Sequence, residues 1–96
     1  MTKRFYQTLF LEFLHTDRGT TCSENLLGDL SNDQECSDAV NYATSFNLNA
    51  NYVETRSWAR YPKGCYIYDS GEMYFNSHPD GENRGETRSI CISGNK

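Results

Sequence analysis

Few side chains in this 96-residue chain are equipped for chemistry, and they are scattered. Cysteines stand at positions 22, 36, 65 and 91, and the only histidines are His15 and His78. A zinc site draws ligands from at least one short knuckle, C-x2-4-C or H-x3-5-H, because neighbouring ligands must converge on one ion. The nearest cysteines here are 14 positions apart, so no metal site is expected and C-x-x-C redox catalysis is excluded. A thiol nucleophile would need a free cysteine beside one of the histidines. An even number of widely spaced cysteines in a short polar chain reads instead as two disulfides, which would leave no such thiol.

His78, Asp80 and Glu82 share a Gly/Pro loop at 77–85 in which an acid–base pair can be imagined. Asp80, Glu82 and Asn83 also carry oxygens of the kind that bind Ca2+. The bland reading is stronger: Pro79-Asp80-Gly81 makes a turn in a solvated loop, and the spacing lacks the D-x-D/N-x-D/N-G order of a calcium loop. No G-x-S-x-G elbow offers a serine. The expectation is no catalytic residue, no metal and no cofactor.

Trp58 and Tyr61 lie next to Arg60 and Lys63 beside the turn Pro62-Lys63-Gly64. Trp and Tyr there can stack on a sugar ring while Arg60 hydrogen-bonds its hydroxyls. The competing reading places Trp58, the single Trp, in the core of so small a domain, and that is the stronger expectation.

The elements that must position these residues differ in legibility. Residues 5–14 (FYQTLFLEFL) fit a helix or a strand; the missing N-cap and the loop at 16–19 favour a strand. Residues 32–46 read as a helix. Ser31 and Gln34 form a capping box, and Asp33 and Glu35 complement the positive helix end. Cys36, Ala39, Val40, Ala43 and Phe46 then make one apolar stripe. Tyr52–Trp58 alternates as a strand, with Tyr52, Glu54, Arg56 and Trp58 on one side. Residues 65–76 read as a hairpin around the two-residue loop Ser70-Gly71. That register pairs Ile67 with Tyr74 and Tyr66 with Phe75. It puts Cys65, Ile67 and Tyr74 on one face and Tyr66, Tyr68, Met73 and Phe75 on the other. Residues 86–93 make a last strand, with Ile90 and Ile92 opposite Cys91.

One helix cannot cover both faces of such a sheet. Either the N-terminal segment fills a second small core through Phe5, Phe10 and Phe13, or an aromatic patch is left exposed for binding. The second core is the expectation. Three disulfide pairings are open. The favoured one joins Cys36 on the helix to Cys65 at the hairpin and leaves Cys22 to Cys91, each bridge contributing roughly 3–4 kcal/mol.

Length allows one domain, residues 1–96, whose core is marginal without staples. A net charge of −4 has the wrong sign for binding a phosphate backbone, so no nucleic-acid partner is expected. No apolar run is long enough to span a membrane. Lys3 and Arg4 before Phe5–Leu14 imitate the start of a signal peptide, but Gln7, Thr8 and Glu12 interrupt it. The preferred expectation is a chain whose leader has been removed.

The ordered pieces Gly19-Thr-Thr-Cys22, Asp33-Gln-Glu-Cys36-x-x-Ala39, Tyr61-Pro-Lys-Gly-Cys65-Tyr, Tyr74-Phe-Asn76 and Ile90-Cys91 resemble a cysteine-stapled module. That module recurs in secreted or surface proteins of marine algae and protists, and the resemblance covers about residues 8–92. The layout is also loosely similar to the apple (PAN) module, whose helix usually carries two cysteines where this one has only Cys36. The resemblance implies an extracellular recognition or structural role and brings no catalytic residue with it.

The expectation is an α+β domain: one amphipathic helix on a four- to five-stranded antiparallel sheet, with two disulfides at Cys22, Cys36, Cys65 and Cys91. Its expected function is non-catalytic extracellular binding of a glycan or a protein through Trp58, Arg60, Tyr61, Tyr66 and Tyr68. The rival is a small intracellular, regulatory or viral protein-binding protein with reduced cysteines.

Overall fold

The computed structural model describes residues 12–93. Of the strand expected at 5–14, residues 5–11 lie outside those described, and the rest supplies β1, Phe13–His15. A 3-10 turn at Ser23–Asn25 leads to the two-residue β2, Gly28–Asp29. Beyond the helix come β3 (Asn51–Arg56), β4 (Gly64–Tyr68), β5 (Glu72–Asn76) and β6 (Thr87–Ile92).

The segments α1 (Asp33–Asp38) and α2 (Val40–Ala43) run through Ala39 as one 11-residue helix, ending short of the expected residue 46. Its N-cap is Asn32, not Ser31. The Asn32 Oδ1 accepts the Glu35 N–H at 2.9 Å, and Glu35 Oε1 accepts the Ser31 N–H at 2.6 Å. The box thus sits one residue later than expected. Asn caps as well as Ser, and the charged Glu35 is a stronger acceptor than Gln34, which instead donates to Asp38. The stripe forms as expected: Cys36, Ala39 and Ala43 are buried, with Val40 and Phe46 packed against them. Past the helix, Asn47 donates its N–H to Ala43 O at 2.9 Å and its side-chain amide to Asp69 O at 3.0 Å, tying the exit to the hairpin tip.

Among the described residues the sheet has six strands, five in the order β1-β6-β4-β5-β3 with β2 beside β6, and is mixed rather than wholly antiparallel. β6 pairs antiparallel with β1 on one edge and with β4 on the other, where β2 continues the line of β4. β3 pairs parallel with β5. It can do so because the connection 57–63 arches over the end of β5 before entering β4; Arg56, Asn76 and Gly64 lie level at that end.

The hairpin departs from expectation by one residue. Ile67 faces Met73, Tyr66 faces Tyr74 and Cys65 faces Phe75, so the loop is Asp69-Ser70-Gly71. Gly71 closes it, with φ at +103° and its N–H on Tyr68 O at 2.9 Å, a three-residue connection with a left-handed glycine. A Cβ at Gly71 would run into the Asn49 backbone, so only glycine fits. A one-residue slip exchanges the faces. Cys65, Ile67, Met73 and Phe75 therefore share one face with Ile90 and Ile92, and Tyr66, Tyr68 and Tyr74 share the other.

A bulge between Tyr52 and Glu54 corrects the expected alternation in β3. Tyr52 and Thr55 turn to the helix side, where Thr55 Oγ1 donates to Asp33 Oδ2 at 3.3 Å, while Glu54 and Arg56 turn to the tyrosine side. Phe13 packs into the helix-side core against Tyr42 and not on the second face; Phe5 and Phe10 lie outside the described residues. The second face is covered instead by loops. Residues 16–20 hold it through Thr16 N–H to Ser89 O at 3.0 Å and Gly19 N–H to Thr87 O at 2.8 Å.

Cys36–Cys65 clamps helix to sheet, and Cys22–Cys91 fastens the loop layer to the other face, which is the favoured pairing. The closed loops span 29 and 69 positions, the smaller nested in the larger, each constraining the unfolded chain by roughly 3.5–4.5 kcal/mol. Two disulfides point to an oxidising environment.

Candidate functional site

The arch 57–63 carries Trp58, Arg60 and Tyr61, and one side chain holds it. Asn76, buried at the end of β5, shares its amide protons among Trp58 O (2.7 Å), Tyr61 O (3.0 Å) and Pro62 O (3.0 Å). Its Oδ1 accepts the N–H groups of Trp58 (2.9 Å) and His78 (3.2 Å). An arch has no partner strand, so this one asparagine satisfies backbone groups that a sheet would otherwise pair. The loop 77–86 seals it from outside: Gly81 lies against Tyr61 O, Pro62 and Lys63 N so closely that no Cβ fits there.

Trp58 is 38% exposed, which overturns its expected place in the core. The interior was already filled by the Cys36–Cys65 bridge and the aliphatic face, and the arch directs residue 58 to the rim. There the planar groups close into a ring. Tyr61 stacks on Tyr66 (5.4 Å, 23°), and Tyr66 on Tyr74 (5.6 Å, 23°). Arg56 bridges Tyr74 (4.4 Å) to Trp58 (4.1 Å), and Trp58 returns to Tyr61 at 4.9 Å. Arg84 covers the Tyr61 ring at 4.5 Å. Such contacts contribute about 0.5–1.5 kcal/mol each beyond their buried area.

Of the five residues singled out for binding, Trp58, Tyr61, Tyr66 and Tyr68 come together in this cluster. Tyr66 is fully buried, so it supports the cluster without presenting a surface. Arg60 is exposed and lines a shallow groove with Glu82, Asn83, Arg84, Gly85 and Glu86. Lys63 points elsewhere, 3.9 Å from Asp29. Arg56, Tyr74, Arg84 and Asn76 were not singled out. The pairing of Tyr66 with Tyr74 was recoverable from a three-residue hairpin loop; the two arginines come from separate elements and leave no local signal.

Burial, then the neighbouring Tyr61, pushes the Tyr66 hydroxyl far above the ordinary phenol range, and Arg56 offsets only part of this. Burial raises Tyr68 and Tyr74 as well. Tyr66, Tyr68 and Tyr74 therefore stay neutral at physiological pH, and Arg56 and Arg84 with their carboxylates bring charge to the cluster. The Tyr66 Oη makes no hydrogen bond of good geometry among the described residues.

In the 77–85 loop the Asp80 N–H donates to His78 Nδ1 at 3.0 Å, a local turn closure. Among the described residues no three His, Cys, Asp or Glu side chains gather in a way that could hold a metal ion, and no helix is long and apolar enough to cross a membrane. No family model, curated protein or solved structure matches the chain. What fold and site define is a class: a small disulfide-bonded α+β domain with an exposed aromatic cluster.

Proposed function

We propose that this domain is a non-catalytic extracellular recognition module that binds a glycan or a protein partner through the rim formed by Trp58, Arg60, Tyr61 and Tyr68. One observation carries the reading: the single Trp stands at the surface, yet is fixed there by Arg56 on its ring and Asn76 on its backbone. An aromatic already held in place adds contact area while losing little further freedom on binding. The two disulfides support the extracellular half of the reading and weigh against the rival with reduced cysteines. The resemblance to cysteine-stapled surface modules points the same way.

The test uses the oxidised chain on an array of glycans and purified secreted proteins. Trp58→Ala and Tyr68→Ala should each abolish binding to the ligand retained by the parent. Trp58→Ala should lower stability by only about 1 kcal/mol, the worth of an exposed cation–π contact. A ligand held equally well by the parent and both variants would falsify the reading.

A further inference from the structure

We infer that the ligand of this rim is a neutral, hydroxyl-rich glycan, and that the rim discriminates against polymers bearing carboxylate or sulfate. The inference rests on the recognition reading above and names the chemistry of its ligand.

Arg56 lies over the exposed indole and Arg84 over the neighbouring Tyr61 ring, and each of the two has a carboxylate beside it. Arg56 Nε lies 2.7 Å from Glu54 Oε2, and Arg84 Nη2 lies 3.1 Å from Glu86 Oε2. Arg60 shares the walls of one groove with Glu82. An anionic sugar is captured by a guanidinium whose fork is free to take two oxygens at once. Here Arg56 and Arg84 already give part of their forks to their own carboxylates and their planes to aromatic rings. An incoming carboxylate or sulfate would have to displace Glu54 or Glu86, or take Arg60 in a groove it shares with Glu82 and Glu86, on a chain whose net charge is −4. Among the described residues Arg56, Arg60 and Arg84 are matched in number by Glu54, Glu82 and Glu86, so the rim holds no surplus positive charge for that exchange.

A guanidinium set against a carboxylate presents donors and acceptors side by side with no net charge. That is the complement of neighbouring sugar hydroxyls, each of which donates and accepts. Asn83 extends the row: its amide nitrogen is turned to Glu24, 3.3 and 3.4 Å from the two carboxylate oxygens, which leaves its carbonyl oxygen as an acceptor in the groove. Trp58 has Arg56 over its ring and Tyr61 beside it, and the part of the indole left exposed is the apolar platform for the C–H face of one sugar ring. Tyr61 is covered on its ring by Arg84 and stacked on Tyr66, so it backs the site and does not add a second platform. One stacked ring with flanking hydroxyl contacts makes a weak site, suited to a repeating polymer.

The experiment is affinity electrophoresis of the full oxidised chain through gels containing hydroxyethylcellulose, galactomannan, polygalacturonate or heparin. Expected is retardation by at least one neutral polymer, insensitive to salt between about 0.05 and 0.5 M. Trp58→Ala should weaken it at least about tenfold and Trp58→Phe by less than about threefold, since the flat apolar face is what matters. Glu82→Gln with Glu86→Gln should create salt-sensitive retardation by polygalacturonate where the parent shows none. Retardation of the parent by the acidic polymers alone, steeply weakened by salt and lost in Trp58→Ala, would overturn the neutral specificity and leave the rim as the binding surface. No retardation by any of the four polymers would overturn the inference and confine the recognition reading to a protein partner.

Discussion

The two faces of the sheet are built from different chemistry and fastened by different means. On the helix side, Ile67, Met73, Phe75, Ile90 and Ile92 meet Cys36, Ala39 and Ala43 of the helix, and the Cys36–Cys65 bridge crosses directly between the layers. On the other side, Tyr66, Tyr74, Ser89 and Asn76 are just as deeply placed, but beside the stacked rings and the Cys22–Cys91 bridge the contacts have polar ends: ring on guanidinium, amide on carbonyl, hydroxyl on backbone. The first face is held by removal of apolar area from water, which is non-directional and tolerant of detail. The second is held by geometry, so losing one partner strands others. A domain of this size therefore gathers its aliphatic core on one face and can present a shaped polar surface on the other, where Cys22–Cys91 fastens it.

Breaking the helix-side face should have a larger effect than breaking the support of the arch. Replacing Cys36 and Cys65 together by Ala should cost about 3–4 kcal/mol or more, read as a drop in the unfolding midpoint in urea. Ile67→Ala should cost about 2–4 kcal/mol through the cavity it leaves in the same core. Next comes the support of the arch. Asn76→Ala strands three carbonyls and two N–H groups and should cost about 1–3 kcal/mol. Because those groups hold Trp58, ligand binding should fall well beyond what the lost stability explains. If it fell no further, the arch would not be what positions the rim.

The smallest effect is set by pH at β1. His15 stacks on Phe46 at 3.8 Å and its Nδ1 lies 2.6 Å from Tyr42 Oη. Burial and then the nearby Arg88 hold its pKa below the usual 6.5, with Asp17 opposing. The unfolded chain then binds the proton more readily than the folded one. The stability this group contributes is complete above about pH 6.5 and is lost as pH falls through the folded value. His15→Gln should flatten the melting temperature between about pH 7.5 and 5, while leaving the tyrosine side unchanged.

How much of this was legible in the sequence follows the same division. The helix stripe, the last strand and the placement of Cys36 over Cys65 rest on short-range periodicity and were readable. The hairpin faces were misassigned by one residue because Ser70-Gly71 suits a two-residue loop, whereas the close approach of Asn49 and the reach of Cys65 to the helix select the longer one. The parallel edge strand was hidden because nothing local distinguishes a strand that returns beside β5 from one that pairs with β4. The bulge beside Val53 likewise reversed Tyr52 relative to Arg56. The aromatic residues of the rim were visible as residue types. Arg56, Arg84 and Asn76, which fix their positions, come from three separate segments and meet only in the fold.

The nesting of the two disulfides has a consequence for how the rim survives proteolysis in an oxidising environment. Every loop that builds it, from the arch at 57–63 to the segment at 77–86, lies between Cys22 and Cys91. A protease cutting once at Arg60, Lys63 or Arg84 would open the chain without separating the pieces, because Cys22–Cys91 still joins them. For a cut at Arg60 or Lys63 the Cys36–Cys65 bridge joins them a second time. A nicked molecule stays one covalent body after cuts that would let an unstapled domain come apart.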